Sequence, residues 1–286
     1  MKFAWIEQHR TTYPVRVMCA VLDASVSGFY AWCQRPPSAQ QQRQEQLVEK
    51  ISAIHVSSRR TYGSPRVHRE LLKQGEKVCE NTVAKLMRRG QIRSVRTRRF
   101  VPRTTDSRHA HPVAANLLDR DFTATQPNQK WVCDITYIPT SEGWLYLAAA
   151  LDLYSRKVVG WSMGGCLGAE LVEAALTMAL SRRHPPRGLL HHSDRGVQYA
   201  CGDYQAKLAV HGLQCSMSRI GDCYDNAAME SFWSTLKTEL LYPAGLLTRP
   251  ETRQAVFEYI EVFYNRVRMH SSLGYVSPEA FEAAHR

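Results

Sequence analysis

Two short stretches decide the fold: Ser193-Asp194-Arg195-Gly196-Val197-Gln198-Tyr199 and Asp225-Asn226-Ala227-Ala228-Met229-Glu230. Asp194 closes a run that reads as a strand, Gly188 to Ser193, and Glu230 lies inside a run that reads as a helix from about Asp225 to Leu241. Thirty-five residues separate these two acids. Sixty positions before Asp194 stands Asp134, within the strand-like Lys130-Trp131-Val132-Cys133-Asp134-Ile135-Thr136-Tyr137-Ile138. Strand alternation puts Val132, Asp134 and Thr136 on one face. The chain therefore offers three acids, two from strands and one from a helix.

Helical geometry tests the third. At ~100° per residue, Met229, Phe232, Trp233, Leu236 and Leu240 gather on one apolar stripe. Glu230 and Lys237 line the same flank of that stripe, and Asn226 joins them. This is either the polar border of an amphipathic helix or an acid with a phosphate-facing cation two turns on. Asp152, Asp222 and Asp225 are competing acids. Asp225 reads as a cap for the helix, Asp152 as the close of a strand at the Tyr154-Ser155-Arg156 turn, and Asp222 as part of a Gly-containing loop. Alternation sends His191 and His192 to opposite faces, one free to approach the acids and the other packed. A Ser-His-Asp set is disfavoured, because no nucleophile elbow is visible.

Around these acids the pattern continues. Glu142-Gly143 marks a hairpin turn, Trp144 to Tyr154 an apolar and so central strand, and Lys157 to Met163 a third strand. Ala169 to Ser181 predicts a helix with Leu171, Ala174, Ala175, Met178 and Leu180 as core residues. Tyr204 to Val210 is helical and Leu213 to Met217 a short strand. Three hairpin-joined strands followed by alternating helices and strands predict an α/β domain over 122–286, a mixed five-stranded sheet with flanking helices in the ribonuclease H-like order.

The first 108 residues read as all-α. Within 1–35, two short apolar-periodic segments flank Asp23-Ala24-Ser25, with Ser25 placed to cap the second. That is the length of a helix-turn-helix, and equally of an ordinary helical hairpin. Pro36-Pro37-Ser38 breaks the chain, and Gln40 to Ile54 reads as a helix with a Gln-rich polar face. A second pair runs from Ser64-Pro65 to about Lys73 and from about Asn81 to Arg89, stopping at Gly90, within a module spanning 36–108. Arg88, Arg89, Arg93, Arg96, Arg98 and Arg99, with Arg103 beyond them, crowd guanidiniums that repel one another without a counter-charge. They read as a basic linker along DNA phosphates, or as a solvated linker.

Composition sharpens that contrast. The 286 residues carry a net charge of +11. Residues 1–110 hold 21 Lys and Arg against 8 Asp and Glu, whereas 111–286 hold 16 against 18. A polyanion partner explains so lopsided an excess. At 44% hydrophobic the chain can bury real cores, and no apolar run reaches a membrane span. The N-terminus lacks a secretory core, so a cytoplasmic bacterial protein, nucleoid-associated, is expected. The eight cysteines form no C-x-x-C pair, and His211, Cys215 and Cys223 fit no common zinc spacing.

The words around the acids carry a resemblance. WVCDITYI, HHSDRGVQY, SMSRIGDCYDNAAMESFWSTLKTEL and YNRVRMHSSLGYVSP span Trp131 to Pro278, and weaker matches, including YGSPRVHREL, reach back to the N-terminus. Together they resemble the OrfB-type transposases of bacterial insertion sequences, whose catalytic core is similar to that of retroviral integrases. The resemblance implies helix-turn-helix-like modules ahead of the core. It also implies catalysis by Asp134, Asp194 and Glu230, holding two Mg²⁺ or Mn²⁺ ions. Hard cations prefer such oxygen ligands, and two ions ~4 Å apart can hold both the attacking and the leaving oxygen of a phosphodiester. The implied activity is cleavage of element ends and joining of the freed 3′-hydroxyl to DNA. Lys237 and Asn226 would face DNA. The implied partners are double-stranded DNA, the OrfA product or an OrfA–OrfB frameshift fusion, and further copies of the chain. Two rivals stay open: a ribonuclease H-like nuclease without strand transfer, and a non-catalytic repressor. This sequence departs from the family at Asp23, often glycine, and at Ile220 and Asp222, where a basic residue and an asparagine are common. Arg266, Arg268 and His270 form a compact polar cluster near the end, read either as a buried closure or as a phosphate contact.

Overall fold

The structure, a computed structural model, describes residues 1–95, 112–219 and 223–285. Arg96, Arg98, Arg99, Arg103, Ile220 and Asp222 lie outside them, as does most of the basic linker.

Three short helices open the chain: α1 (Lys2–His9), α2 (Val15–Val21) and α3 (Val26–Gln34). Ile6, Met18, Cys19 and Phe29 form their small core. The Ser25 hydroxyl caps α3 by accepting the Gly28 N–H, as its position predicts. Asp23 turns the chain with φ +45°, so it supplies the left-handed conformation for which glycine is the easier residue. No side-chain cap marks the start of α1, and the sequence pattern does not signal it.

Next come α4 (Ala39–Ser57), α5 (Ser64–Lys73) and α6 (Glu80–Arg89). Gly90 does end α6, but at φ −81°; the left-handed residue is Gln91, at φ +55°. These helices do not keep a core to themselves. Leu47, Ile51, Val67 and Val83 share one apolar cluster with Val132, Leu147, Phe232 and Tyr264. The Tyr62 hydroxyl fastens the joint by donating to the Val267 carbonyl (3.1 Å) and accepting the Met269 N–H (2.9 Å).

The sheet comprises β1 (Lys130–Thr140), β2 (Gly143–Asp152), β3 (Val158–Gly164), β4 (Leu190–Ser193) and β5 (Gln214–Met217). Their order is β3-β2-β1-β4-β5, antiparallel among the first three and parallel from β1 to β4 and β4 to β5. One face is covered by α7 (Ala169–Arg183), α8 (Val197–Ala200) and α9 (Gly202–Val210). Gly160 permits the close approach of α7, because a Cβ there would fall 2.3 Å from the Ala175 carbonyl. Of the residues expected in the α7 core, Leu171, Ala175 and Leu180 are buried. Ala174 is exposed and Met178 only half-buried, because the helix turns Val172, Leu176 and Ala179 inward instead.

The opposite face meets α10 (Ala227–Leu236), which continues through a π-helical stretch, Lys237–Leu241, into α11 (Tyr242–Ala244). The sequence suggested one uniform helix to Leu241. The wider turn begins at Lys237, where Glu239 is drawn into a buried ion pair with Arg268. Then follow α12 (Arg249–Phe257), a second π-helical stretch Glu258–Tyr264, and α13 (Pro278–Ala284). Among the described residues no helix is long and apolar enough to cross a membrane.

Candidate active site

The β1–β4 pairing explains how two acids sixty positions apart meet. Lys130 lies opposite Leu190, Trp131 opposite His191 and Val132 opposite His192. Each partner is sixty positions away, so two residues further along the same register Asp134 stands beside Asp194. Parallel neighbouring strands lie ~4.8 Å apart, which puts their carboxyls in mutual reach.

The Asp134 carboxylate is held from two sides: Oδ1 accepts the Ile135 N–H (2.8 Å) and Oδ2 accepts the Trp233 indole N–H (2.9 Å). Burial first, and then the charge of Asp194, push its pKa up to about 8, against the two hydrogen bonds. Asp194 Oδ1 accepts the Gly196 N–H (2.9 Å). Gly196 suits that turn, since a Cβ would come within 3.0 Å of the same oxygen. The result is a pair of carboxylates whose negative charges oppose each other.

Glu230 projects from α10 beside them and is exposed, its pKa raised by burial of the carboxyl against the protein. Its charge adds the smallest of the upward pushes on Asp134. Among the described residues no three His, Cys, Asp or Glu side chains are close enough to share a metal ion. The structure thus brings Asp134 and Asp194 together and leaves the Glu230 carboxyl on their flank. Lys237 is half-buried; burial lowers its pKa while the charge of Asp134 raises it, which places it on the acid side of α10.

Three expectations are corrected. Asn226 does not face outward: it is buried, and its Nδ2 donates to the Cys133 carbonyl (3.1 Å), pinning the start of α10 to the strand that carries Asp134. Nor does Asp225 cap the helix. It is fully buried and accepts from Arg219 (N, Nε and Nη2), Arg120 Nε and Asn116 Nδ2, so those donors hold its pKa far below the ordinary range. Neither His191 nor His192 reaches the acids. His191 Nε2 pairs with the Tyr204 hydroxyl (2.9 Å), while His192 bridges Ser216 (2.8 Å) and Ser218 (3.1 Å), and burial lowers both to about 4. Asp152 does close β2, fully buried and accepting the Asn128 and Tyr154 N–H groups.

Arg88, Arg89 and Arg93 are exposed on and after α6, with Arg89 donating to Gln44 (3.2 Å). Sequence reasoning counted Trp233 as core only. Its indole N–H on Asp134 was signalled solely by its place three residues after Glu230, one turn along the same helix. Tyr137 was also missed. Its pKa is raised by burial, then by Tyr146 and the two aspartates, so it borders the acids.

Comparison with known proteins returns the same architecture. Residues 124–223 and 211–278 match integrase core domains, and residues 41–100 match an HTH-like domain. The chain is 46% identical over 284 residues to transposase InsF for insertion sequence IS3A of Escherichia coli K12, covering 99% of this chain and 98% of that protein. It is 47% identical over 264 residues to a 31 kDa protein of insertion element IS600 from Shigella sonnei, covering 92% and 97%. Among solved structures, it is similar to chains of a simian T-cell lymphotropic virus intasome (TM-score 0.47, 14% identity, 81% of this chain and 74% of that one). Another is the HTLV-2 integrase catalytic core in complex with magnesium (TM-score 0.43, 16% identity, 56% and 99%).

Proposed function

The chain belongs to the IS3-family insertion-sequence transposases with an integrase core, and from that premise we propose that Asp134, Asp194 and Glu230 are the acids by which it cuts and joins DNA. The observation that carries this reading is the Asp134–Asp194 pair. Its mutual repulsion and the raised pKa of Asp134 are what a divalent cation would relieve. Asp134 and Asp194 would hold that ion, Mg²⁺ or Mn²⁺, and Glu230 would complete a set for two ions by a side-chain rotation open to an exposed residue. When bound, such ions neutralise charge on the attacking and leaving oxygens of a phosphodiester.

The chain's own groups prepare the rest. Trp233 and Ile135 fix the Asp134 carboxylate in one orientation. Asn226 ties α10 to β1, so Glu230 is presented from a fixed helix. Lys237, on the same side, would face a phosphate oxygen. In the first step water attacks phosphorus at the element end and the bond to the 3′-oxygen breaks, leaving a 3′-hydroxyl. In the second, that hydroxyl attacks another phosphodiester and one P–O bond replaces another, so no outside energy source is needed. Arg88, Arg89 and Arg93, continued by Arg96, Arg98 and Arg99, would follow the DNA backbone. Two element ends must be held at once, which calls for more than one copy of the chain. The OrfA product, separate or fused, would supply the leucine heptads that this sequence lacks. A cytoplasmic setting follows from the DNA substrate.

The test uses the full chain, alone and fused to the product of an upstream frame, on labelled element-end DNA with Mg²⁺ or Mn²⁺. Wild type is expected to cut and to join pre-cut ends. Glu230→Gln should lose both by about a thousandfold or more while keeping its melting temperature. Intact cleavage in Glu230→Gln would remove Glu230 from the set. Cutting without joining favours the plain nuclease, and a wild type inert with either metal favours the repressor.

A further inference from the structure

About 100–140° round α10 from Glu230, on helical geometry, the helix shows a different side. Ser231 and Thr235 there line a pocket of about 470 Å³, closed by three guanidiniums and an imidazole: Arg66, Arg156, Arg268 and His270. These come from far-separated segments: α5, the β2–β3 turn, and the stretch after the second π-helical run.

The charges in this pocket do not balance. Arg268 is neutralised by Glu239, whose Oε1 and Oε2 accept its Nη2 (2.7 Å) and Nε (2.8 Å). Glu239 is further engaged by the Tyr259 hydroxyl (2.8 Å). Among the described residues neither Arg66 nor Arg156 makes an ion pair. Arg66 lies over the Tyr62 ring, 5.6 Å from its centroid. The acids whose charge reaches them, Glu239 for Arg66 and Asp152 for Arg156, act only through space and are bonded to Arg268 and Arg183. Both free guanidiniums are half-buried, and burial lowers the pKa of each. His270 accepts from Arg268 Nη1 (3.3 Å), and burial followed by the three guanidiniums drives its pKa down, so it brings no compensating charge. Arg156 is held at φ +60°, a conformation unusual for a non-glycine residue, while its side chain lines the pocket. Partly desolvated guanidinium forks with hydroxyls beside them match the planar, multidentate demand of a phosphate group.

We propose that this pocket is a second phosphate-binding site, taking one phosphodiester of a DNA strand on the side of α10 away from the acids. The DNA identity of the ligand rests on the functional reading above; the phosphate chemistry does not. The site would gather the helical module, the catalytic sheet and the C-terminal segment on a single backbone phosphate.

Affinity of the full chain for a short duplex of arbitrary sequence, measured in EDTA over a salt series, tests this apart from catalysis. Arg66→Gln with Arg156→Gln should flatten the plot of log affinity against log salt by about one unit, the share of one phosphate contact. Ser231→Asp supplies a carboxylate from an exposed position and guards against misfolding of the arginine variants. It should show the same flattening together with a higher melting temperature, because the internal acid replaces the phosphate. Arg266→Gln is the control, an exposed residue paired with Glu279 (3.5 Å). Wild-type slope and affinity in both pocket variants overturn the proposal. So does equal flattening in Arg266→Gln, which would mean diffuse surface charge. A protein inert with Mg²⁺ but flattened by the pocket variants fails the catalytic reading and keeps this one.

Discussion

The two sides of α10 are opposites. Toward β1 and β4 stand Asp134 and Asp194, acids that raise each other's cost. Toward α5 and the C-terminal segment stand Arg66 and Arg156, which among the described residues make no ion pair of their own. Elsewhere among the described residues buried charges are balanced, as in Asp225 with Arg219 and Arg120, Glu282 with Arg183, and Glu239 with Arg268. Imbalance is therefore confined and not a general looseness of the fold. A balanced buried pair is explained by the folded chain alone, whereas an unbalanced one asks for something from outside, a cation on one side and an anion on the other.

The sharpest way to break this comparison is to neutralise one acid. Asp194→Asn should cost about a thousandfold or more in DNA cleavage while leaving the metal-free protein as stable as wild type or more so, because repulsion with Asp134 is removed. Parallel measurement of cleavage and thermal unfolding checks both halves. A stability loss without a rate loss would make the pair structural.

The converse substitution belongs to a balanced pair. Arg268→Met leaves Glu239 buried without its counter-charge, and should destabilise the fold by about 3–5 kcal/mol in denaturant unfolding. Both side chains are less than a tenth exposed, so solvent does little to soften the loss. A change below about 1 kcal/mol would place this pair with ordinary surface ion pairs.

These contrasts also show what the sequence could tell. The sixty-position offset between the aspartates became the β1–β4 register, and hydrophobic periodicity put Glu230 and Lys237 on one flank. Both are local patterns repeated by regular geometry. Asn226 sat on the same flank by angle yet turned inward, because the Cys133 carbonyl needed a donor that no periodicity displays. Asp225 looked like a cap since its partner Arg120 lies 105 positions away. The guanidinium pocket was invisible for the same reason: it draws on three segments, of which only the Arg268–His270 stretch stood out as a polar cluster. Resemblance supplied the chemistry, while tertiary contacts decided which polar residues were structural.

Acidity offers a smaller test. Asp134, raised to about 8, binds its proton more tightly in the folded than in the unfolded chain. Its stabilising contribution is present below ~4 and is lost as pH rises toward 8, at up to ~1.4 kcal/mol per pH unit. His191 and His192, lowered to about 4, act oppositely: between ~4 and ~6.5 the unfolded chain binds more protons, so stability rises with pH. The metal-free protein should therefore be most stable near pH 6.5 and lose about 2 kcal/mol by pH 8. Asp134→Asn, or saturating Mg²⁺, should flatten that upper limb in chemical unfolding. An upper limb that survives Asp134→Asn would assign it to another group.

The smallest expected effect isolates a single hydrogen bond on the acid side. Trp233 donates its indole N–H to Asp134 Oδ2, and that bond favours the charged carboxylate. Trp233→Phe keeps an aromatic ring against Phe232, whose centroid lies 4.8 Å away, and removes the donor. Asp134 should then hold its proton to a still higher pH. A hydrogen bond to a charged group is worth about 1.5–3 kcal/mol, and solvent reaching this half-open carboxylate replaces part of it, so the shift should be about one pH unit. The rising limb of the Mg²⁺-dependent cleavage profile should move upward by that amount, with little change in the plateau rate. A lower plateau with an unmoved limb would mean that Trp233 orients Asp134 without setting its charge. The acid side of α10 would then depend on the cation alone to ionise its aspartates.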